Sequence, residues 1–430
     1  MNKQHPFKGP HVLIIIVAAL GYFVDIYDLV LFNVVKKESL LQLLPQANAD
    51  TIKNTGIFLF NMQMTGMLIG GILWGIWGDK KGRLSVLFGS IMLYSAANLA
   101  NAFVTDIPVY AVIRVIAGIG LAGELGAGIT LVAETMSKEN RGYGTMIIVT
   151  FGALGAVVAA LVGAEGEVIG NILKNITGTH VANWQVAYII GGTLGLLLLF
   201  LRIGTIESGM FKNIKKSEIS KGDIRILFNN KERFFKYLNC ILIGVPIWYI
   251  IGLLVANSQE IFAVELNIKG EVINGTALMY AYLGLSFGDL ISGILSQWFR
   301  SRKKIVYLYL CFSLLLIIFF LFGLNGASSG EYYFTCFLLG TSAGYWAIFV
   351  TIASEQFGTN IRSTVTNTVP NFVRGSVPLI TISFGLLLST AGGNIGSAFL
   401  VGCIVLIVAF FSASKLKETF AKDLNYIETM

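Results

Sequence analysis

The chain has 430 residues, of which 55% are hydrophobic and only 13% are charged, and its mean hydropathy is +0.73. Soluble domains carry roughly 25% charged residues, so this composition predicts a multi-pass membrane protein. It excludes a nucleic-acid-binding protein, a disordered chain and a secreted disulfide scaffold. The net charge of +7 is typical of the positive-inside rule rather than of a surface for an acidic partner.

Twelve apolar runs have the length of about 20 residues that a helix needs to cross the hydrocarbon layer. The chain is therefore predicted to be an all-α membrane protein with twelve transmembrane helices in two six-helix, pseudo-symmetric bundles. The predicted spans are 11–35, 54–78, 83–104, 107–136, 141–165, 184–205, 236–259, 273–299, 304–324, 331–357, 361–390 and 394–414.

The longest connection is polar and basic, and it divides the chain. The predicted domains are an N-terminal six-helix bundle (1–205), a cytoplasmic linker (206–235), a C-terminal six-helix bundle (236–414) and a cytoplasmic tail (415–430). With the N-terminus in the cytoplasm, 24 of the 31 Lys and Arg residues fall on that side and five on the other, while Arg114 and Arg374 lie within spans. This asymmetry predicts that both termini are cytoplasmic.

The two halves repeat one another. Glu134 and Arg141 are seven residues apart between spans 4 and 5, and Glu355 and Arg362 are seven apart between spans 10 and 11. Two six-span halves related by repetition are typical of transporters that alternate around a central site.

Motifs at the expected spans carry a resemblance to a known family. Gly75-x-x-Gly78-Asp79-x-x-Gly82-Arg83 resembles the span 2–3 signature of the major facilitator superfamily, and Arg114-x-x-x-Gly118-x-Gly120 resembles its span 4 signature. Asp25-Ile-Tyr27-Asp28 and Gly123-Glu124 resemble motifs of the metabolite:proton symporter branch. The span 1 segment is similar also to phosphate:proton symporters, and the chain resembles phagosomal amino-acid transporters too.

This resemblance implies an ion-pair gate at the cytoplasmic rim that stabilises the outward-open state. The gate residues would be Gly75, Asp79, Gly82, Arg83, Glu134, Arg141, Glu355 and Arg362. The alternative is that basic residues at this rim only satisfy the positive-inside rule.

Charged residues inside the membrane are costly and are therefore functional candidates. Asp25, Glu124 and Arg374 fall near mid-depth at about 1.5 Å per residue. Asp25 and Asp28 are three apart, which places them on one helix face. Proton coupling is predicted for Asp25, Asp28 and Glu124, and the family signature adds Arg114. The alternatives are structural pairing of these carboxylates and snorkelling of Arg114.

Span 11 carries a polar stripe that ends at Arg374. This arginine either binds a substrate carboxylate bidentately or forms an internal salt bridge, for example with Asp289. Aromatic side chains on spans 1, 7 and 10 either cover a substrate or only pack. The predicted substrate-binding residues are Arg374, Asn371, Asn367, Tyr27, Trp248, Tyr345 and Trp346.

These features predict a secondary active transporter, not an enzyme, that carries a small polar metabolite with protons by alternating access. An amino acid or organic acid is favoured, because Arg374 suits a carboxylate. The alternatives are a proton-coupled efflux antiporter or uniporter, and a membrane nutrient sensor without transport. No metal or cofactor is expected beyond the proton gradient. The predicted partners are substrate, protons and lipid, without nucleic acid, for a monomer in the cytoplasmic (inner) membrane.

Overall fold

The computed structural model describes residues 9–135, 141–177, 181–207, 225–422 and 428. Within these ranges, residues 9–14, 83–84, 131–135, 141, 164–170, 172–177 and 202–207 are described by their backbone alone.

The described residues of the N-terminal half form seven helices. They are α1 (Gly9–Leu43), α2 (Ala49–Lys81), α3 (Arg83–Asn101), α4 (Ile107–Leu121), α5 (Glu124–Thr135), α6 (Arg141–Thr177) and α7 (Asn183–Glu207). Side chains cap the exposed helix starts: Asn48 accepts a hydrogen bond from the Thr51 amide, and Asp106 accepts one from the Val109 amide. Such caps satisfy amide groups that have no partner within the helix.

The C-terminal half is also helical. Its helices are α8 (Arg225–Phe228), α9 (Lys231–Leu242), α10 (Val245–Tyr249), α11 (Ala263–Glu265), α12 (Asn274–Trp298), α13 (Arg302–Ile318), α14 (Ser329–Ala343), α15 (Trp346–Gln356), α16 (Arg362–Arg374), α17 (Val377–Leu387) and α18 (Gly393–Lys415). Three π-helical segments, Ile250–Val255, Ser258–Phe262 and Phe319–Gly323, continue these helices.

Ten helical stretches in the described part of the chain are long and apolar enough to cross a membrane, so this is a multi-pass membrane protein. The predicted spans 83–104 and 361–390 are not among them. The first contains α3, whose first two residues are described by backbone only. The second is divided at Gly375–Ser376 into α16 and α17. The total of twelve spans and the side on which the termini lie stay predictions.

Several predicted spans are broken rather than continuous. Span 4 breaks between α4 and α5, span 10 between α14 and α15, and span 11 between α16 and α17, while span 7 changes from α- to π-helix after Tyr249. The breaks place Glu124, Trp346 and Arg374 at helix ends. Broken helices in transporters typically occur where the backbone faces a binding site.

The two halves meet closely along α2 and α16. A Cβ atom added at Gly71 would lie 2.8 Å from the Asn371 Cβ, and one at Gly75 would lie 3.0 Å from the Thr364 Cα. Only glycine permits this separation. Gly75, which the family signature singles out, is therefore a contact between the halves.

Candidate functional site

A small buried cavity with about 20 Å³ of free space lies between the two halves. Its aromatic and charged lining consists of Tyr22, Trp248, Tyr282, Trp346 and Arg374. Aliphatic side chains complete it: Ile26, Ala153, Ile247, Ile251 and Leu285. Every lining side chain is buried. The N-terminal half contributes through α1 and α6, so relative movement of the halves would reshape the cavity.

Arg374 is the charged group of this cavity. It is the last residue of α16 and is 1% exposed, and the negative end of a helix dipole favours a cation there. Its Nη2 lies 3.9 Å from the Asp25 Oδ2 and donates to the Tyr22 hydroxyl at 3.2 Å. Its Nη1 donates to the Asn371 Oδ1 at 3.4 Å, while Nε has no hydrogen-bond partner.

Two tryptophans lie beside this guanidinium. Its central carbon is 5.9 Å from the Trp248 ring centroid and 5.4 Å from that of Trp346, within the range of cation–π attraction. The Trp346 Nε1 is buried and has no hydrogen-bond partner in the described part of the chain. The Tyr22 hydroxyl lies beside this indole nitrogen.

Asp25 is fully buried, and neither of its carboxylate oxygens makes a hydrogen bond within the described residues. The charged side chains that interact with Asp25 are Arg374 and Glu124. A buried carboxylate is stable only when it is paired or protonated. Asp25 therefore depends on Arg374 or on a proton.

The internal salt bridge considered for Arg374 is present, with Asp25 as its partner. Asp289 instead caps the start of α15, where its Oδ1 accepts a hydrogen bond from the Ala347 amide at 2.9 Å. This cap satisfies an amide that the break before Trp346 would otherwise leave without a partner.

Asp28 lies close enough to Asp25 for the two charges to interact, but its other neighbours differ. Three helical residues turn through about 300°, so the two side chains diverge by about 60°. Asp28 faces the interior of the N-terminal half, where its Oδ1 lies against Gly191 and Asn98 lies beside it. Arg114 is also near Asp28.

Arg114 lies within the N-terminal half and is fully buried. Its Nη2 donates to the Gln63 Oε1, its Nη1 donates to the Tyr188 hydroxyl at 3.3 Å, and its guanidinium lies 4.6 Å from the Phe32 ring centroid. This geometry contradicts the snorkelling alternative, because the charge is directed into the bundle and not towards a membrane surface.

Polar side chains of α3 are buried in the same half, and the sequence reasoning missed them. Ser95, Asn98 and Asn101 are buried; Asn98 lies beside Asp28, and the side-chain polar atoms of Ser95 and Asn101 lack hydrogen-bond partners in the described residues. Their spacing of three along an otherwise apolar span was the available signal.

The other predicted substrate residues lie outside the cavity. The Tyr27 hydroxyl donates to the Ala187 carbonyl at 3.0 Å, and the Tyr345 hydroxyl donates to the Ile243 carbonyl at 2.9 Å. Asn371 supports Arg374 and donates to the Ala122 carbonyl across the halves at 2.7 Å. Asn367 donates to the Ser363 carbonyl and packs against Gly126.

Asp79 joins the halves at the end predicted to be cytoplasmic. Its Oδ2 accepts hydrogen bonds from the Thr364 amide at 2.8 Å and the Thr364 hydroxyl at 2.6 Å, and its Oδ1 accepts one from the Ser363 amide at 3.2 Å. Asp79 of α2 thus caps α16 of the other half. These hydrogen bonds go to a helix start, and the ion pairs expected from the sequence at this end stay a prediction.

At the predicted cytoplasmic end of the C-terminal half, Glu355 forms an ion pair with Arg302, a residue that the sequence analysis did not assign to the gate. Arg302 lies 3.4 Å from Glu355, and both side chains are buried. The segment from Gly293 to Lys303 repeats the Gly75–Arg83 motif in degenerate form, and Arg302 lies within it. Arg362 is also buried, and Gly82 has a positive φ of 96° at the end of α2. The side chains of Arg83, Glu134 and Arg141 lie outside the described residues.

The opposite end has a contact of its own. The Lys36 Nζ lies 3.2 Å from the Glu260 Oε1 and donates to the Ala256 carbonyl at 2.9 Å. Asn274 donates to the same carbonyl at 2.8 Å and to the Glu260 Oε2 at 3.3 Å. The halves therefore touch on both sides of the cavity, which is an occluded arrangement.

Comparisons with known proteins agree with this architecture. The profile of the Major Facilitator Superfamily matches residues 18–378. A protein of Cupriavidus pinatubonensis named as a 4-methylmuconolactone transporter is 25% identical, with 93% of this chain and 89% of that protein covered. A Bacillus subtilis protein named as the niacin/nicotinamide transporter NiaP is 24% identical, with 95% and 96% covered.

Among solved structures, the proton:xylose symporter XylE bound to 6-bromo-6-deoxy-D-glucose has a TM-score of 0.72. It is 16% identical, and the match covers 96% of this chain and 97% of that one. At this identity the similarity shows the fold alone.

Proposed function

The chain belongs to the major facilitator superfamily, a family of transporters and not of enzymes, and on this premise we propose that it is a proton-coupled symporter. It imports a small carboxylate-bearing metabolite by alternating access. The observation that carries this proposal is the Arg374–Asp25 pair beside a closed cavity between the halves.

The coupling of substrate to proton follows from the number of charges that the buried site around Arg374 and Asp25 can hold. At 3.9 Å, the Asp25 contact is longer than the 2.7–2.9 Å or so of a charge-assisted hydrogen bond, so Asp25 does not saturate the guanidinium. A substrate carboxylate bound to Arg374 would place two anions beside one cation in a buried site. Burying an uncompensated charge costs on the order of several kcal/mol. Substrate therefore binds with a proton that neutralises Asp25.

Release follows from the same competition. When the cavity opens to the cytoplasm and Asp25 loses its proton, the carboxylate of Asp25 returns to Arg374 and displaces the substrate. One proton accompanies each monocarboxylate, so the cycle of binding and release is electroneutral for a monoanion. Glu124, close to Asp25, is the next proton acceptor along this path.

Asp28 and Arg114 form a second candidate proton site inside the N-terminal half. Both are fully buried, and their charges interact. A proton on Asp28 would weaken the attraction between α1 and α4 without touching the substrate. This role concerns the movement of the helices, whereas Asp25 governs the substrate.

Alternating access requires that the two ends open in turn. The Asp79 cap closes one end and the Lys36–Glu260 pair closes the other. Each closure consists of a few hydrogen bonds, which suits two states of similar free energy. We place the protein in the cytoplasmic membrane as a monomer that needs no cofactor besides the proton gradient.

Proton flux in proteoliposomes distinguishes this proposal from its alternatives. A pH-sensitive dye in the lumen reports proton movement when amino acids or organic acids are added outside, and protein-free liposomes correct for diffusion of neutral acids. Symport acidifies the lumen. A proton antiporter would alkalinise it, a uniporter would leave no protein-dependent proton signal, and a sensor would bind ligand without flux.

A further inference from the structure

We propose that a lysine-lined cleft at the predicted cytoplasmic end binds the headgroup of an anionic phospholipid from the surrounding bilayer. The cleft lies between α9 and the segment in which α18 ends, and it has about 470 Å³ of free space. We refer to it as the lysine cleft, because its lining includes Lys236, Lys415, Lys417 and Lys422. It shares no lining residue with the cavity beside Arg374, so the site does not depend on the mechanism of transport.

The lining of the lysine cleft has an excess of positive charge. Among its described lining residues, Glu232 is the one acidic side chain against four lysines. The Lys236 ammonium is partly neutralised, because it lies 3.5 Å from the Glu428 Oε1. Lys415 and Lys417 are exposed, and no ion pair joins either of them to another described residue. The charges of these two lysines are therefore left for an anion from outside the protein.

Lys422 adds a further cation to this group. Burial lowers the pKa of Lys422, and so do the nearby charges of Lys236 and Lys417, against the opposite effect of Glu428 and Glu355. Cations that lie this close repel one another, and an anion placed among them would replace the repulsion by attraction. The grouping of the lysines in one cleft therefore favours a phosphate group, which lysines bind as point charges.

The lysine cleft also borders the predicted hydrocarbon layer. Phe235 and Phe411 line it and are 56% and 61% exposed, and the Lys415 Nζ lies 5.1 Å from the Phe411 ring centroid. Trp298, at the end of α12, is 78% exposed. Exposed aromatic side chains at the ends of spans are typical of the interface between membrane and water, so the cleft lies at the depth of the lipid headgroups.

Charge and apolar surface together favour a lipid over a soluble anion. The phosphate of a phospholipid would lie among the lysines while its acyl chains cover Phe235 and Phe411, which a soluble anion would leave bare. Basic pockets between membrane helices on the cytoplasmic side bind anionic headgroups in this way. The free space is within the range of ligand pockets. The occupant is therefore a phospholipid with a net negative charge.

Native mass spectrometry of the purified full-length protein tests this assignment. The protein is released from micelles that contain equal amounts of phosphatidylglycerol and phosphatidylcholine. Wild type should retain phosphatidylglycerol at least about tenfold more often, and millimolar glycerol phosphate, which has the same charged group without acyl chains, should not displace it. Equal retention of the two lipids would overturn the site. Displacement by glycerol phosphate would mean that the ligand is a soluble anion, which would overturn the lipid.

Variants of the two exposed lysines locate the site. In Lys415→Gln/Lys417→Gln the preference for phosphatidylglycerol should fall by about fivefold for each lysine removed, so the double variant should approach equal retention. Lys415→Arg/Lys417→Arg keeps both charges and should keep the preference.

The matched control is Lys80→Gln/Lys304→Gln, which removes two exposed lysines at the same predicted end but outside the lysine cleft. This variant should retain the preference of wild type. An equal loss in the two glutamine variants would mean that the overall charge of this end attracts the lipid, and it would contradict a site in the cleft.

Discussion

Arg374 and Asp25 come from opposite halves of the chain, and their side chains meet 3.9 Å apart in the centre of the molecule. The pair is buried and lies against the cavity. Arg374 therefore contacts three features of the molecule. It pairs with Asp25, it lines the cavity, and it bonds to Asn371, which donates to the Ala122 carbonyl at the break in span 4.

Removing the charge of Asp25 should uncouple transport from the proton gradient. In Asp25→Asn, Arg374 keeps its charge and can hold a substrate carboxylate without a proton. We expect uptake driven by a pH gradient to fall to the level of protein-free liposomes, while exchange of labelled for unlabelled substrate persists. Asp106→Asn, at the exposed cap of α4, is the control. Full pH-driven uptake by Asp25→Asn would refute the coupling role.

Removing the cap that Asp79 provides should open the predicted cytoplasmic end. Asp79→Ala leaves the first amides of α16 without their acceptor, at a cost of about 1–3 kcal/mol. A cysteine placed at Ser363, which is fully buried, should then react faster with maleimide in inside-out vesicles. The experiment uses a background without the native Cys240, Cys311, Cys336 and Cys403.

The control for this experiment is the same Ser363→Cys in a protein that retains Asp79. Equal labelling rates in the two proteins would mean that Asp79 does not hold this end closed.

The Lys36–Glu260 pair should stabilise the closed state at the opposite end. A double-mutant cycle with Lys36→Met and Glu260→Gln should give a coupling of about 1–3 kcal/mol in thermal unfolding, because both side chains are nearly buried. The exposed Lys53–Asp50 pair, at 2.7 Å, is the matched control and should give a much smaller coupling, because solvent screens it. Equal couplings would argue against a gate at Lys36.

The start of α13 should loosen in acid. Burial raises the pKa of Glu418, but hydrogen bonds from the Ser301 hydroxyl and from the amides of Arg302, Phe420 and Lys303 outweigh it and hold this pKa below its usual value. A depressed pKa stabilises the folded state above the ordinary glutamate value, and this contribution is lost as pH falls through the lowered pKa.

The measurement for Glu418 is the melting temperature against pH. Wild type should lose a stabilisation on acidification that Glu418→Gln lacks from the start, so the two curves should converge at low pH. Parallel curves would contradict the prediction.

The sequence predicted the architecture well where the signal was physical and local. Apolar run length predicted ten of the stretches that are long and apolar enough to cross a membrane in the described part of the chain, and the charge of Arg374 within a span drew attention to a residue that lines the cavity. The resemblance to the major facilitator superfamily is confirmed by the match over residues 18–378. Span 11 breaks at Gly375–Ser376, between Pro370 and Pro378.

The sequence did not predict which side chains from distant parts of the chain contact one another. Spacing alone put Asp25 and Asp28 on one helix face, but their side chains diverge by about 60°. Arg374 and Glu124 therefore lie beside Asp25, whereas Asn98 and Arg114 lie beside Asp28. Tyr27 and Tyr345 lie on helices of the site yet turn towards the carbonyls of Ala187 and Ile243. A sequence pattern does not reveal which carbonyl of a neighbouring helix will accept a hydrogen bond from a given tyrosine hydroxyl.

The most direct test of the account is proton uptake when substrate binds. The purified protein in weak buffer with a pH indicator is mixed with the carboxylate that it binds most tightly among amino acids and organic acids. Wild type should take up about one proton per bound carboxylate, since one anion replaces another beside one cation, and Asp25→Asn should take up none. Binding to wild type without proton uptake would contradict it.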